Sequence, residues 1–336
     1  MPKRKGFLYE WMCDKEHIRE AIVFGAKDKH DRRDVRRVLA DVDGYTDRVY
    51  DLLQTQTFAP SQPRKRQIYD ASSRKWRTIE YVPFFPDGIV HTLMVMAAEP
   101  TFRRGMNHWC CASVPGRGGK HALRHCKRVI HHDKKGSRYV CKMDVHHFYH
   151  SVDRRKLIWM LAHKIKDKKY LKLTWEILQT CEQGLAIGFF ICQWLANFYL
   201  ESLDRYITTL DGVKHSARYM DDIVLFGPNK KKLHRARKAI AEYLQKRLRL
   251  QMKGNWQVFP LRVRPLDYVG YRFYRDYTTM RRKNFLRFTR QCRKVRKKIE
   301  RHQRIAYRTA SGLLSRIGQL KHCNSTAARK KYVDPI

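Results

Sequence analysis

The chain has 336 residues, 43% of them apolar, which suffices for one large core or two to three smaller ones and excludes a disordered chain. Its 72 Lys and Arg against 31 Asp and Glu leave a formal charge of +41, spread along the whole length rather than gathered in one tail. So much self-repulsion points to a polyanionic partner. Nucleic acid is favoured over a membrane surface, because the chain has no apolar run of 18 residues and aromatics and acids interrupt its basic stretches.

The opening segment, MPKRKGFLYEWMCDKEH, lacks the apolar stretch of a secretory leader, so a cytoplasmic location is expected. The nine cysteines include no Cys-x-x-Cys pair and read as reduced thiols; Cys110, Cys111, His121, His125 and Cys126 fit no common zinc-finger spacing. Residues 16 to 55 carry helix-like apolar spacing at Val35, Leu39, Val42, Val49, Leu52 and Leu53. Two prolines in FAPSQPRKRQIYD break it, and QIYD and RTIEYVPF then predict the arms of a hairpin around ASSRKW. DGIVHTLMVMAAE (87 to 99) is apolar enough for a buried helix, and the glycine-rich VPGRGGKHALRH leads into another near 120 to 131.

SRYVCKMD predicts a short strand ending in an acid. Residues 153 to 181 read as helical, QWLANFYLESLDRYI as one strongly apolar helix, and ARYMDDIVLFG as two strands. KKKLHRARKAIAEYLQKRL is an amphipathic helix, and LQMKGNWQVFPL and DYVGYRFY read as strands. Beyond them Phe285, Phe288, Cys292, Val295 and Ile299 form one stripe of a helix from about 284 to 304. Its other faces are mostly Arg and Lys, which favours contact with a phosphate backbone.

Asp221 and Asp222 stand side by side where the flanking runs want β-branched and aromatic residues, and Asp144 ends a separate strand. If those strands are neighbours, two or three carboxylates converge at one sheet edge and need cations. Oxygen ligands without nearby Cys or His spacing point to Mg²⁺, with Mn²⁺ as a substitute, and two such ions serve phosphoryl chemistry.

YMDD within ARYMDDIVLFG, KMDVHHFYHSV upstream and VGYRF downstream together resemble a reverse transcriptase over residues 65 to 275. The resemblance implies an α+β right-hand polymerase. Its parts are an N-terminal helical extension (1–60), fingers (61–135), an antiparallel-sheet palm (136–275) and a basic helical thumb (276–336). It also implies catalytic roles for Asp144, Asp221 and Asp222, with two metal ions held by Asp144, Asp221 and the carbonyl of Val145. Lys75, Arg77, Tyr149, Ile187, Gly188, Gln193 and Lys253 would face the incoming nucleotide, Tyr149 crowding a ribose 2′-hydroxyl and Lys253 meeting the departing pyrophosphate. Arg117, Lys120, Tyr219, Met220, Gly270, Tyr271, Arg287, Arg290, Arg293 and Lys294 would line the primer and template.

Within the family, Ile187-Gly188 and Cys192-Gln193 stand where Gln-Gly and Ser-Pro are usual. In this the chain is similar to the reverse transcriptases of diversity-generating retroelements, as are YMDD and NWQV. That resemblance implies a prokaryotic or phage origin, a template RNA copied into cDNA with errors at adenines, dNTP substrates and a small, basic, oligomeric accessory protein. Gly88 replaces a usual Arg, which leaves the contacts of that Arg unassigned. The competing readings are a retron-like or antiviral-defence reverse transcriptase and a non-enzymatic RNA-binding protein.

Overall fold

The computed structural model describes residues 4–70 and 75–336, the side chains of Asp70 and Lys75 excepted. Helices fill the first segment as its spacing predicts: α1 (Leu8–Met12), α2 (Lys15–Ala26), α3 (Arg33–Leu39) and α4 (Val42–Gln54). The Asp14 and Asp41 carboxylates accept from the first free N–H groups of α2 and α4, which fixes where those helices begin. Strands β1 (Arg64–Asp70) and β2 (Lys75–Tyr81) pair antiparallel, Arg64 opposite Tyr81, as the predicted hairpin; residues 71 to 74 of its turn lie outside the described residues. A π-helical turn, Phe84–Gly88, leads into the buried helix α5 (Ile89–Gly105), and α6 (Gly119–His132) follows the glycine-rich loop.

The next segment runs β3 (Tyr139–Asp144), α7 (Phe148–Ser151), α8 (Arg154–Ala162), α9 (Lys168–Thr180), α10 (Phe190–Tyr199) and α11 (Glu201–Thr209). It continues through β4 (His215–Tyr219), β5 (Asp222–Gly227), α12 (Lys230–Leu248) and β6 (Gln257–Pro260). The strands form one antiparallel sheet in the order β4-β5-β3-β6, so the two acid-bearing strands are its centre. Period-two alternation divides them between two cores. Cys141, Met143, Ile223 and Leu225 join the large core that includes residues of α5, α10 and α12. Val140, Val224 and Phe226 pack with α6 and with a second sheet.

That second sheet is β7 (Leu266–Tyr268), β8 (Tyr271–Phe273) and β9 (Thr278–Met280). Helices α13 (Arg282–Glu300), α14 (Tyr307–Leu320) and α15 (Thr326–Tyr332) close the chain around a third core of Phe288, Cys292, Val295, Leu313 and Leu320. The architecture is α+β, as expected. Among the described residues no helix is long and apolar enough to cross a membrane.

Three expectations change. The helical stretch 153 to 181 divides at Asp167, whose carboxylate accepts from Tyr170 N and restarts the chain as α9. QWLANFYLESLDRYI is two helices bent at Leu200. The bend turns Glu201 and Asp204 inward, where Lys164 (2.5 Å) and Arg218 (2.7 Å) hold them, ion pairs that no local pattern reveals. LQMKGNWQVFPL forms a strand only at β6, because Met252 bridges Val145 and Lys253 N donates to Asp144 O (2.8 Å) at the end of β3 instead. Strand β9 and the separate boundaries of α14 and α15 within the expected helical segment 276–336 are not marked in the sequence.

Candidate active site

Strands β3 and β5 run in register, with Asp144 directly opposite Asp222. Between β4 and β5 the chain reverses at Met220, in the left-handed region (φ 54°), and Asp221. Val145 N then donates to Asp221 O (3.3 Å), which draws the turn over the end of β3. The Asp144 carboxyl is then a close neighbour of Asp221. Burial, reinforced by the neighbouring Asp144 carboxylate, pushes Asp221 up from the usual carboxylate range to about 7. Lys253 Nζ donates to Asp144 Oδ1 at 2.7 Å, so this lysine reaches the acids directly.

Asp222 does not complete a trio. Lys142, two residues before Asp144 and therefore on the same face of β3, draws Asp222 Oδ2 to 3.3 Å. Burial still raises Asp222, and its Oδ1 is buried without a hydrogen-bond partner. Among the described residues, no three His, Cys, Asp or Glu side chains form a metal-holding group. The close donors are the Asp144 and Asp221 carboxylates, with the main chain of fully buried Val145 beside them. Two acids pressed together in a half-buried site, one needing a proton in place of a cation, suit a hard divalent ion that keeps part of its water shell.

Arg218 escaped the sequence reading, although a lone Arg inside an apolar strand next to the double acid is a visible signal. It is 2% exposed and fills the space behind the turn. Its guanidinium donates twice to Asp204 (2.7 Å each), to Asn197 Oδ1 (3.1 Å) and to Met220 O (3.0 Å). Burial works against this charge, but Asp204 overrides it and raises Arg218 further, so the carbonyl of the strained Met220 is held by a permanent cation.

Tyr149 packs beneath the same turn, its hydroxyl on Met220 Sδ (3.8 Å) and its pKa raised by burial. Tyr149 O accepts from Leu185 N (2.7 Å), which brings the loop carrying half-buried Ile187 and exposed Gly188 to the site. Gly188 (φ 149°) crosses β2 so closely that a Cβ would lie 2.2 Å from Glu80 O; only glycine fits. Gln193 sits half-buried in the first turns of α10, and Arg77 is exposed on β2. Lys75 opens β2, but its side chain lies outside the described residues.

Exposed Lys120, Gly270 (φ 89°) and Tyr271 share a 270 Å³ cavity with Asn284, Gln319 and His322. Tyr271 Oη donates to Gln319 O (3.1 Å). Arg117 is committed internally, to the carbonyls of Asn107 (2.7 Å) and Cys110 (3.0 Å). Tyr219 ends β4, half-buried. On α13, Arg290, Arg293 and Lys294 are exposed and Arg287 is half-buried, while Arg293 also lies over the Tyr332 ring (5.7 Å).

With this geometry in hand, three comparisons bear on the chain. A family model described as reverse transcriptase (RNA-dependent DNA polymerase) matches residues 63–273. Protein YkfC of Escherichia coli (strain K12) is 24% identical over 156 residues, 43% of this chain and 41% of that protein. The group II intron-encoded protein LtrA of Lactococcus lactis subsp. cremoris is 24% identical over 218 residues, 61% of this chain and 35% of that one. The chain thus spans less than half the length of these curated relatives. Among solved structures, apo telomerase from Candida tropicalis is similar at 11% identity and a TM-score of 0.49, covering 74% of this chain and 55% of the telomerase. A form truncated from the C-terminal domain is similar at 12% identity and a TM-score of 0.47, covering 66% and 56%.

Proposed function

The chain belongs to the reverse transcriptase (RNA-dependent DNA polymerase) family, and from that premise we propose that it copies a template RNA into cDNA as an RNA-directed DNA polymerase. The observation that supports this reading is that Asp144 at the end of β3 stands opposite Asp222 while Val145 N donates to Asp221 O (3.3 Å), which gathers the acids at one sheet end. Asp144, Asp221 and the carbonyl of Val145 would hold Mg²⁺, which when bound supplies charge neutralisation, activation of a primer hydroxyl and stabilisation of the leaving pyrophosphate. Lys253, which donates to Asp144 Oδ1, would turn to that pyrophosphate. Asp222 orients the turn. Tyr149 closes the floor of the nucleotide site against a 2′-hydroxyl, while Arg77 and Lys75 on the hairpin would meet the triphosphate.

In this reading residues 1–60 are an N-terminal helical extension, 61–135 fingers, 136–275 palm and 276–336 thumb. Exposed Arg290, Arg293 and Lys294 would track the duplex backbone. Primer extension on a primed RNA with Mg²⁺ and dNTPs tests it, and no incorporation by the wild-type chain on several templates would leave RNA binding alone.

The finer assignment is to a diversity-generating retroelement, and Ile187 supports it. An aliphatic side chain in the loop beside Tyr149 can fill space but cannot hydrogen-bond a nascent base pair, which reduces discrimination between nucleotides. I187Q is expected to lower misincorporation opposite template adenine, read by sequencing cDNA from both forms; equal adenine error rates would remove the assignment. The same assignment brings a small, basic, oligomeric accessory protein, and extension that requires its addition would support it.

A further inference from the structure

A lysine in the middle of YVCKMD is out of place, since its chain neighbours Cys141 and Met143 are buried and buried Val224 stands opposite it on β5. Alternation puts Val140, Lys142 and Asp144 on one face, and Val140 packs there with Tyr268 and Phe273 of the second sheet. Lys142 Nζ bridges the two sheets. It donates to Asp267 O in β7 (2.9 Å), pairs with Asp222 Oδ2 (3.3 Å) and lies over the Tyr268 ring (5.9 Å).

The chain of charged contacts continues outward. Asp267 Oδ1 accepts from Arg281 (2.6 Å), and Arg281 N donates to Gly270 O (2.9 Å) as the residue that caps α13. Among the described residues no strand of the second sheet is laddered to β3 or β5. Asp222 is tied to β7 by Lys142 and by a longer contact from Tyr268 Oη to Asp222 O (3.4 Å).

We propose that Lys142 is a positioning residue that locks the Gly270 hairpin and the start of α13 to the turn carrying Asp221 and Asp222. The placement of a primer end and the placement of the acids would then share one ammonium group. An ammonium suits this role because its three donors can serve a carboxylate and a carbonyl at once, while its aliphatic stem stays in the apolar layer beside Tyr268. This role in synthesis rests on the polymerase reading; the mechanical link does not.

K142M keeps the stem and removes the charge, and K142R restores it. Hydrogen exchange on the free, full-length chain reads the link without any activity. K142M is expected to speed exchange about tenfold in peptides covering both 219–223 and 266–285, with K142R returning to within about threefold of wild type. Faster exchange at 219–223 alone, or no change in either segment, overturns the proposal. In primer extension, K142M should lower kcat by about 10- to 100-fold while KM for dNTP moves less than about threefold, with K142R recovering most of the rate. An unchanged kcat also overturns it. If wild type extends no primer, the polymerase reading fails and the exchange result alone decides the link. Should K142M not fold, K142Q is read by the same two measurements.

Discussion

A buried and a half-buried cluster of charge flank the turn at Met220 and Asp221, and they are finished differently. Behind the turn, Arg218 and Asp204 satisfy each other through two bonds of 2.7 Å, with Asn197 and the Met220 carbonyl taking further donors. In front of it, Asp144, Asp221 and Asp222 meet the ammonium groups of Lys253 and Lys142, and one Asp222 oxygen stays buried without a partner. A cluster that completes itself stiffens the scaffold. One with three carboxyls and two ammonium groups keeps unbalanced negative charge, and burial beside Asp144 pushes Asp221 up.

The front cluster should be indispensable for chemistry and costly for folding. D221N is expected to cut primer extension by at least about a thousandfold. Its affinity for RNA should stay within about threefold of wild type, because phosphate contacts come from Lys and Arg. Near-normal synthesis by D221N would take Asp221 out of the site.

The rear cluster should behave in the opposite way. R218M leaves Asp204 buried and unpaired, and is expected to lose about 3–5 kcal/mol in urea unfolding. The R218M/D204N double variant should lose less than the sum of the single effects. A loss below about 1 kcal/mol would mean that the pair is not the brace described here.

Proton linkage separates the two clusters further. Asp221 is raised from 3.8 to about 7 in the folded chain, so the folded state binds more protons across that window. Its stabilising contribution is fully present below 3.8 and is lost as pH rises through about 7. In the absence of metal, wild type should lose on the order of 1–3 kcal/mol over that interval relative to D221N, measured by denaturation at a series of pH values. Parallel pH curves for the two forms would contradict the assignment.

Adding Mg²⁺ at neutral pH should raise the melting temperature of wild type by a few degrees, by mass action on the folded state, and leave D221N almost unmoved. Equal shifts would place ion binding elsewhere. The smallest effect is expected far from both clusters. Replacing Arg290, Arg293 and Lys294 by alanine should weaken duplex binding uniformly across sequences and lower the salt slope by about 2 to 3. An unchanged slope would exclude the exposed face of α13 from the backbone contact.

Much of the site could be read before the fold was known. The hairpin of β1 and β2, the strands carrying Asp144 and Asp222, and the α13 stripe all follow from local periodicity and turn residues, which act within a few positions. Arg218 and Lys142 were missed for a common reason. Each is a single basic residue in a chain with 72 of them, and only its burial separates it from the solvated remainder. The two carbonyls that Arg117 Nη1 meets could not be read from the sequence for the same reason.

The sequence by itself determined the alternation that splits β3 and β5 between two cores, the acids at their ends, and an excess of positive charge that calls for a polyanion. Tertiary structure alone decided which groups meet, because Asp221 comes to Asp144 on a turn braced from behind by Arg218, and Asp222 is paired with a lysine tied to another sheet. Patterning fixes the face on which a side chain stands. Long-range electrostatics, acting between segments far apart in the chain, chooses its partner.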